Sequence, residues 1–429
     1  MSFKDECFSY HAGSRKGKIE VLPSKPLATQ KHLSMAYTPG VAEICHAITE
    51  NPEAVYDYTA RGNLVAVVSN GTAVLGLGNI GPLGAKPVME GKGVLFKLFA
   101  DVDTFDICLD ASDPQLVIDC VKALAPTFGG INLEDIKAPD CFKIEQELME
   151  SMDIPVLHDD QHGTAVVLGA ALINAMHLAG KKAADLKVVV NGAGAAGIAG
   201  ARFLTSLGIP VSQIHMFDSR GLIHRGRGDL TPAKLQFAQE KDASLTEALA
   251  GADCFIGCSV RDVITPEMIR NMAPSPIIFA CANPDPEIPY PQAKAARPDA
   301  IVATGRSDYP NQVNNVLGFP FLFRAALDCR AEKFTEGMKI AAANALAQLA
   351  RAEQDPEVLS AYGLKEREFG VESLLPLPFD PRLAECVPPA VAKAAMDEGV
   401  ARRQIDLDTY PLELRKRMDS LKERIARVL

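Results

Sequence analysis

Residues 187–199 read KVVVNGAGAAGIA, and this stretch decides the fold of the chain. The first four residues, KVVV, have strong strand preference because three of them are β-branched. A glycine-rich turn follows at Gly192, Gly194 and Gly197, and a helical pattern, GIAGARFLTSLG, begins on the last glycine. A strand, a glycine-rich turn and a helix in direct succession predict a βαβ unit of a parallel α/β sheet.

The glycines and the residues between them are typical of a turn that binds a dinucleotide. Gly192 permits the tight turn, Gly194 lets a pyrophosphate approach the backbone, and Gly197 lets the helix pack closely on the strand. The first amides of the helix, at Ala195 and Ala196, are expected to hold the pyrophosphate. The sequence therefore predicts a doubly wound, Rossmann-type domain that binds NAD or NADP.

The residues after the next predicted strand, QIHMFD, bear on the choice between the two cofactors. Asp218 ends this strand 21 residues after Gly197, the spacing of a carboxylate that bonds the ribose hydroxyls of NAD. Arg220, Arg225 and Arg227 follow closely and could instead supply positive charge for the 2′-phosphate of NADP. The preference between NAD and NADP stays open at this stage.

A second glycine fingerprint, Gly76-Leu-Gly78-Asn-Ile-Gly81, lies earlier in the chain. It follows LVAVVSN and GTAVLGL, which predict two strands joined at Asn70-Gly71, and it leads into Pro82 and Pro87. We expect no helix to open directly on Gly81. Because a dinucleotide site needs a strand before the glycines and a helix immediately after them, this copy is not predicted to be the main cofactor site.

Short apolar runs alternate with helical patterns along most of the chain. FDICLD, ADCFIGCS, PIIFACANP and AIVATGRS predict strands, while EGKGVLFKLFA, PQLVIDCVKALA and TAVVLGAALINAMHLAG predict helices. We expect two α/β domains that face each other across a cleft: residues 1–160 for substrate and metal, and residues 161–385 for the dinucleotide. Residues 386–429 are predicted to be helical and to pack on the core or on a dimer partner. The first thirty residues are expected to form a surface arm that could reach a partner subunit.

Length and composition limit the classes of protein to which the chain can belong. The chain has 429 residues, is 48% hydrophobic and has a formal net charge of −10. This length favours two domains, and the acidic balance argues against nucleic acid or an anionic membrane as the main partner. The ten cysteines form no Cys-x-x-Cys pair, the N-terminal residues lack an apolar core, and no run of about 18 apolar residues occurs. Reduced thiols, no secretory signal, no membrane span and a cytoplasmic location are expected.

Two adjacent acidic pairs, Glu134-Asp135 and Asp159-Asp160, are candidate metal ligands. Glu134-Asp135 alone would more often be a solvated loop. Asp159-Asp160 ends the apolar run IPVL and precedes a helix, which indicates the interdomain cleft. Carboxylate oxygens suit Mg²⁺ or Mn²⁺ rather than zinc, and such an ion would chelate a 2-hydroxy acid. The flanking His158 and His162 are expected to pack or to support the site.

Tyr37 and Lys92 are candidates for proton transfer. Tyr37 precedes a Thr-Pro-Gly turn, where a phenol could protrude, and Lys92 lies between two glycines at the predicted mouth of a helix. A catalytic lysine needs partial desolvation. From the pattern alone, a half-buried core tyrosine and a solvated lysine are the commoner readings.

Seven segments together resemble the malic enzyme family in its compact bacterial form. They are AYTPGVA, VVSNGTAVLGLGNIG, KPVMEGKGVLFK, VLHDDQHGTA, VVVNGAGAAGIA, ANPDPEI and ATGRSDYPNQVNNVLGFP, spread from about residue 30 to 400. The resemblance implies metal-dependent oxidative decarboxylation of (S)-malate to pyruvate and CO₂ with reduction of NAD(P)⁺. It also implies a homodimer.

The resemblance further implies residue roles. Tyr37 would protonate the enolpyruvate carbon, and Lys92 would take the proton of the C2 hydroxyl. The implied metal ligands are Glu134, Asp135 and Asp160, with Asp159 tuning the site, and the implied contacts to malate or nicotinamide are Asn283 and Asn314.

Two departures from the family pattern bear on substrate binding and regulation. Larger eukaryotic relatives have DGER before GLG, with an arginine that binds substrate, whereas this chain has Ala73 at that position. Longer bacterial relatives carry a phosphotransacetylase-like extension, and regulation through it is not expected here. Three alternatives stay open: a malolactic-type enzyme that forms lactate, another decarboxylating hydroxy-acid dehydrogenase, and a non-catalytic dinucleotide-binding sensor.

Overall fold

The computed structural model describes residues 2–13 and 15–428, and two sheets organise this part of the chain. The first sheet has the strand order β2-β1-β3-β4, and the second has the order β10-β9-β8-β5-β6-β7. All neighbouring strands are parallel except β6 and β7, which pair antiparallel. The predicted α/β class with parallel sheets is confirmed.

The elements of the first sheet come from the first 180 residues. In chain order they are α1 (Phe3–Ala12), α2 (Gln30–Ala36), α3 (Val41–Glu50), α4 (Val55–Tyr58), β1 (Leu64–Ser69), α5 (Gly81–Ala100), β2 (Asp103–Cys108), α6 (Pro114–Leu124), β3 (Gly130–Leu133), α7 (Asp140–Ser151), β4 (Val156–His158) and α8 (Asp159–Ala179).

The second sheet and the C-terminal helices follow. They are β5 (Val188–Asn191), α9 (Ala195–Ser206), β6 (Ile214–Asp218), β7 (Gly221–Leu222), α10 (Pro232–Leu235), α11 (Leu245–Leu249), β8 (Cys254–Gly257), α12 (Pro266–Arg270), β9 (Ile277–Ala280), α13 (Tyr290–Ala296), β10 (Ile301–Thr304), α14 (Phe319–Asp328), α15 (Glu336–Arg351), α16 (Pro356–Ala361), α17 (Arg382–Asp397) and α18 (Tyr410–Val428).

Helix α8 joins the two halves of the core. Its buried residues belong to an apolar cluster that also contains Val65 and Val67 of β1 and Val188 and Val190 of β5. By length and composition α8 could cross a membrane, but 61% of its most apolar stretch is buried inside the protein. That burial is typical of the central helix of a core.

Two local predictions around the first glycine fingerprint are wrong. GTAVLGL forms no strand: the chain runs through a turn and a short 3-10 helix, Leu75–Leu77. Helix α5 also begins directly at Gly81, where no helix was expected. Pro82 is tolerated in its first turn because the amides there have no partner within the helix. No strand leads into Gly76, however, so this copy still lacks the strand that a dinucleotide turn requires.

The C-terminal helices pack on the core through a buried charged group. Arg324 of α14 is 2% exposed and donates two hydrogen bonds to Asp328, at 2.8 and 2.6 Å. Tyr410, at the start of α18, donates to the same carboxylate at 2.7 Å. Arg324 also donates to Asn63 near the start of β1, at 2.6 Å. These bonds hold α14 and α18 against the first sheet.

Candidate active site

The carboxyl ends of β3 and β4 bring four acidic residues together. Glu134 and Asp135 directly follow β3, and Asp159 and Asp160 form the first turn of α8, directly after β4. Parallel neighbouring strands end at the same edge of a sheet, so the two acidic pairs meet there. One carboxylate oxygen from each of Glu134, Asp135 and Asp160 lies within 4.8 Å of the others.

The chemistry of these three carboxylates fits a hard divalent cation. Glu134 and Asp135 are each 4% exposed, and burial raises the pKa of Glu134 well above its usual value. Like charges held this close in a buried site are costly unless a cation joins them, and all-oxygen ligands suit Mg²⁺ or Mn²⁺. Asn132 donates to Glu134 Oε2 at 2.9 Å, and the Asp135 amide donates to Asp160 Oδ2 at 2.8 Å. These bonds fix the carboxylates in place.

Lys92 lies beside this cluster. Its Nζ is 2.6 Å from Asp159 Oδ2, 2.9 Å from Glu134 Oε1 and 4.2 Å from the centre of the Phe319 ring. Its side chain is only 10% exposed. Burial acts to lower the pKa of Lys92, but the charges of Asp159 and Glu134 outweigh it, so the pKa is raised. Lys92 is therefore desolvated, as a catalytic lysine must be, and is held as an ammonium by two carboxylates.

The predicted position of Lys92 at the mouth of a helix is wrong. Helix α5 begins at Gly81, so Lys92 lies in its middle. The helix is longer than expected because the prolines of its first half do not interrupt it. In the middle of a helix the lysine is attached to a rigid backbone, which a helix end would not provide.

Asp159 is fully buried and tied to both halves of the chain. Its Oδ2 accepts from Lys92 and, at 3.2 Å, from Asn315 Nδ2. The Asn315 side chain in turn accepts from Thr164 at 3.0 Å. A Cβ placed on Gly163 would overlap Asp159 Oδ1. Sequence reasoning missed Asn315, which adjoins the named Asn314, because the pattern QVNN does not show which of two adjacent asparagines faces the site.

The two asparagines expected to contact malate or nicotinamide lie in loops after β9 and β10. Asn314 caps a short turn, its side chain accepting from the Val316 amide at 3.0 Å. Asn283 is exposed and precedes a cis proline, Pro284. A Cβ on Gly76 would lie 2.7 Å from the Asn283 carbonyl oxygen and 2.9 Å from Pro284 Cδ. Gly76 therefore allows the first glycine motif to approach the Asn283 loop closely.

The second glycine motif has the geometry expected of a dinucleotide turn. Helix α9 begins at Ala195, directly after the turn. A Cβ on Gly197 would overlap the Gly192 carbonyl oxygen, which explains why the helix and the strand can pack so closely. A Cβ on Gly194 would meet nothing within 4 Å, so the space before the first amides of the helix is open.

The charges after β6 form one connected group. Arg227 binds both oxygens of Asp218 at 2.9 Å, and Lys234 donates to the same carboxylate at 2.6 Å. Arg227 and Arg220 also bind Asp229. The pKa of Asp218 is lowered, because these hydrogen bonds outweigh its burial. Arg227 and Lys234 neutralise the charge of Asp218. The sequence pattern did not indicate that Lys234 is one of its partners.

A buried carboxylate that sequence reasoning missed supports the ends of β8 and β9. Glu287 accepts hydrogen bonds from the Ser259 amide at 2.9 Å and from the Ala282 amide at 3.0 Å. Ser259 also accepts from Asn191, at the end of β5, at 2.7 Å. Glu287 therefore joins the loops that border the dinucleotide turn. The sequence signal was weak, since Glu287 stands in a proline-rich loop.

Tyr37 lies apart from these groups. It ends α2 and its side chain is 72% exposed. Among the described residues, no side-chain hydrogen bond, ion pair or ring contact joins it to Lys92 or to the carboxylates. The phenol is exposed rather than half-buried in the core, as the pattern alone would have favoured, and within one chain it does not complete the site.

A Rossmann-type sheet with a glycine-rich turn, together with a buried lysine among carboxylates, defines an α/β protein of the dinucleotide-binding class. Family models sharpen this class: the Malic enzyme N-terminal domain matches residues 16–116, and the Malic enzyme NAD binding domain matches residues 161–361. The chain belongs to the malic enzyme family.

Similar proteins cover nearly the whole chain. An NADP-dependent malic enzyme of Salmonella typhimurium is 56% identical over 95% of this chain, which spans 54% of that protein. An NADP-dependent malic enzyme of Halomonas elongata is 52% identical over 96% of this chain and 97% of its own length. The crystal structure of malic enzyme from Pyrococcus horikoshii matches with a TM-score of 0.91 and 42% identity, covering 100% of this chain and 98% of the other. The chain thus spans about half the length of the first of these relatives.

Proposed function

We propose that the protein catalyses oxidative decarboxylation of (S)-malate to pyruvate and CO₂ with reduction of NAD(P)⁺ and a requirement for Mg²⁺ or Mn²⁺. The observation that carries the proposal is Lys92, buried between Asp159 and Glu134 at the edge of a three-carboxylate cluster. A module that only binds dinucleotides has no use for a desolvated lysine of this kind. Family membership and the similar proteins support the same reaction.

The residues of the chain have separable tasks in this reaction. Glu134, Asp135 and Asp160 would hold the cation, which would polarise the C2 oxygen and stabilise negative charge as CO₂ leaves, while the dinucleotide would accept hydride. Lys92 Nζ takes the proton of the C2 hydroxyl. It must first release its own extra proton, and Asp159 Oδ2, at 2.6 Å, is the nearest acceptor.

We further propose a homodimer in which Tyr37 of one subunit serves the site of the other. Helices α1, α2 and α3 bury none of their residues within the chain. Large apolar side chains are exposed on them and on the connecting segment, including Phe3, Phe8, Val21, Leu33 and Met35. A second copy of the chain would cover this surface and bring the exposed phenol of Tyr37 to the site of the other subunit as its general acid.

Mixed dimers test the shared site. Tyr37→Phe and Lys92→Ala are each expected to be nearly inactive alone. Co-expressed with different tags and purified through both tags, the mixed dimers should recover about half of the wild-type turnover, because one of the two sites in each is intact. Turnover of purified mixed dimers is the measurement. Purified mixed dimers as inactive as the parents would show that Tyr37 acts within its own subunit.

The domain boundaries are part of the proposal. We place the substrate and metal domain at residues 1–160, the dinucleotide domain at 161–385 and a C-terminal helical segment at 386–429. The order of the two sheets along the chain and the ranges of the two family models support the first boundary. A cytoplasmic location is proposed on the family resemblance alone.

We propose NADP⁺ as the preferred cofactor. Around the carboxylates of Asp218 and Asp229 stand three cations, Arg220, Arg227 and Lys234, so this group has a net positive charge. Asp218 has its oxygens engaged by Arg227 and Lys234, which leaves it poorly placed to accept the ribose hydroxyls of NAD⁺. A 2′-phosphate would meet cations rather than a bare carboxylate.

Replacing Lys234 by methionine tests this preference. We expect kcat/KM for NADP⁺ to fall about 10- to 100-fold, because a hydrogen bond to a charged group is worth about 1.5–3 kcal/mol. The value for NAD⁺ should change little. Arg225→Met is the matched control, since Arg225 pairs with Glu240 instead. Equal losses with both cofactors would contradict the proposal.

Absorbance at 340 nm with (S)-malate and Mn²⁺, together with assays of pyruvate, lactate and oxaloacetate, tests the reaction itself. Metal-dependent reduction of NAD(P)⁺ with pyruvate as product is the expected result. Oxaloacetate without pyruvate would indicate a plain dehydrogenase. Malate consumption with lactate formed and no net absorbance change would indicate a malolactic enzyme, and no reaction would favour a non-catalytic binding protein.

A further inference from the structure

Glu145 is a buried carboxylate that the proposed chemistry does not use. It lies on α7 and is 5% exposed. Its Oε1 accepts from the backbone amide of His158 at 2.7 Å, and its Oε2 accepts from Gln161 Nε2 at 2.9 Å. His162 Nε2 lies 3.0 and 3.1 Å from the two oxygens. All three partners belong to residues 158–162.

This segment carries the two aspartates of the site. Asp159 binds Lys92, and Asp160 is one of the three clustered carboxylates. Helix α8 has His158 as its N-cap residue, and no side chain of its own caps it. Glu145, which lies on helix α7, acts as the cap of α8 by accepting a hydrogen bond from the His158 amide. The same carboxylate thus bonds the residues on both sides of the aspartate pair.

The tautomer of His162 follows from its second neighbour. Lys339 Nζ, on α15, lies 3.2 Å from His162 Nδ1. An ammonium can only donate, so Nδ1 accepts and the ring proton is on Nε2, facing Glu145. Glu145 therefore accepts all three hydrogen bonds, from the His158 amide, from Gln161 and from His162.

We propose that Glu145 is a positioning residue that fixes residues 158–162 and thereby aims Asp160 at the metal and Asp159 at Lys92. The inference deepens the proposed function and rests on it for the identity of the metal site. The bridge through His162 to Lys339 extends the support to α15. Partners that orient a metal ligand in this way commonly change metal affinity 10- to 100-fold when they are replaced.

Glu145→Gln in the full chain tests the role through metal binding rather than activity. Free Mn²⁺ is measured by electron paramagnetic resonance during titration, without substrate. The Kd for Mn²⁺ is expected to rise about 100-fold, because the amide is a weaker acceptor and its NH₂ group opposes the His162 donor. Glu147→Gln is the matched control: it lies on the same helix, bonds Lys122 at 3.0 Å and should bind Mn²⁺ as the wild type does. Wild-type Mn²⁺ affinity in a folded Glu145→Gln variant would overturn the inference.

Gln161→Leu is the second variant, to be used if Glu145→Gln does not fold. It removes one of the three donors at nearly constant volume, and the Kd for Mn²⁺ should rise about tenfold. An unchanged Kd would overturn the inference. Failure of the proposed function gives a different result: the wild type would then bind Mn²⁺ yet form no pyruvate from malate.

Discussion

Replacing Lys92 by alanine is expected to lower turnover about 10³-fold while leaving dinucleotide binding unchanged, because positioned acid–base groups contribute about 10²- to 10⁴-fold. Lys92 Nζ lies 2.6 Å from Asp159 and 2.9 Å from Glu134, and it has no contact with the glycine turn that would bind the cofactor. The loss should therefore fall on kcat. Steady-state kinetics with malate, together with fluorescence titration of NADPH, separate the two effects.

The matched control for this prediction is Lys86→Ala. Lys86 lies on the same helix, α5, but its side chain is 46% exposed and pairs with Asp106 and Glu90 instead of the site. Turnover of this variant should stay near the wild-type value. If Lys92→Ala and Lys86→Ala retained the same turnover, Lys92 would have no role in proton transfer.

Replacing Gly163 by alanine is expected to lower turnover about 100-fold and to destabilise the fold by about 1–3 kcal/mol. The new Cβ would overlap Asp159 Oδ1, and the carboxylate cannot move freely because Lys92 and Asn315 hold its other oxygen. Either the carboxylate rotates away from Lys92 or the first turn of α8 shifts. A displacement of about 1 Å at a reacting group is enough for such a loss.

Gly200→Ala is the control for Gly163→Ala. Gly200 is a helical glycine of α9, and a Cβ there would meet nothing within 4 Å. Alanine should leave turnover unchanged and raise the free energy of unfolding by about 0.5–1 kcal/mol through helix propensity. Urea unfolding and turnover of both variants provide the comparison. Wild-type turnover in Gly163→Ala would mean that Asp159 tolerates displacement.

Local sequence patterns were enough to predict most of the fold. The glycine turn at Gly192 was predicted together with its flanking strand and helix, because a strand, a tight turn and a helix leave separate signals in adjacent residues. The parallel strands β8, β9 and β10 were also predicted from their short apolar runs. The pattern was misleading around Gly81. Pro82 and Pro87 suggested a break in the helix, but both lie in the first half of α5 and do not interrupt it.

The candidate site was predicted only in part. The two acidic pairs, Lys92 and Tyr37 were named as candidates from spacing and chemistry, and the resemblance to the malic enzyme family assigned their roles. The contacts of Lys92 with Asp159 and Glu134 could not be predicted, because they join residues 67 and 42 positions apart. Glu145, Glu287 and Asn315 carry no local signature, since a buried acid or amide is recognisable only by its partners.

By itself the sequence determined the α/β class, the dinucleotide turn and the membership of a family, because each depends on residues that are neighbours along the chain. Only the tertiary structure decided which charges meet. It neutralises Asp218 with Arg227 and Lys234, anchors residues 158–162 on Glu145, and leaves Tyr37 exposed. The physical reason is that hydrogen bonds and ion pairs depend on distances of about 3 Å in space, and a linear pattern does not encode such distances between remote residues.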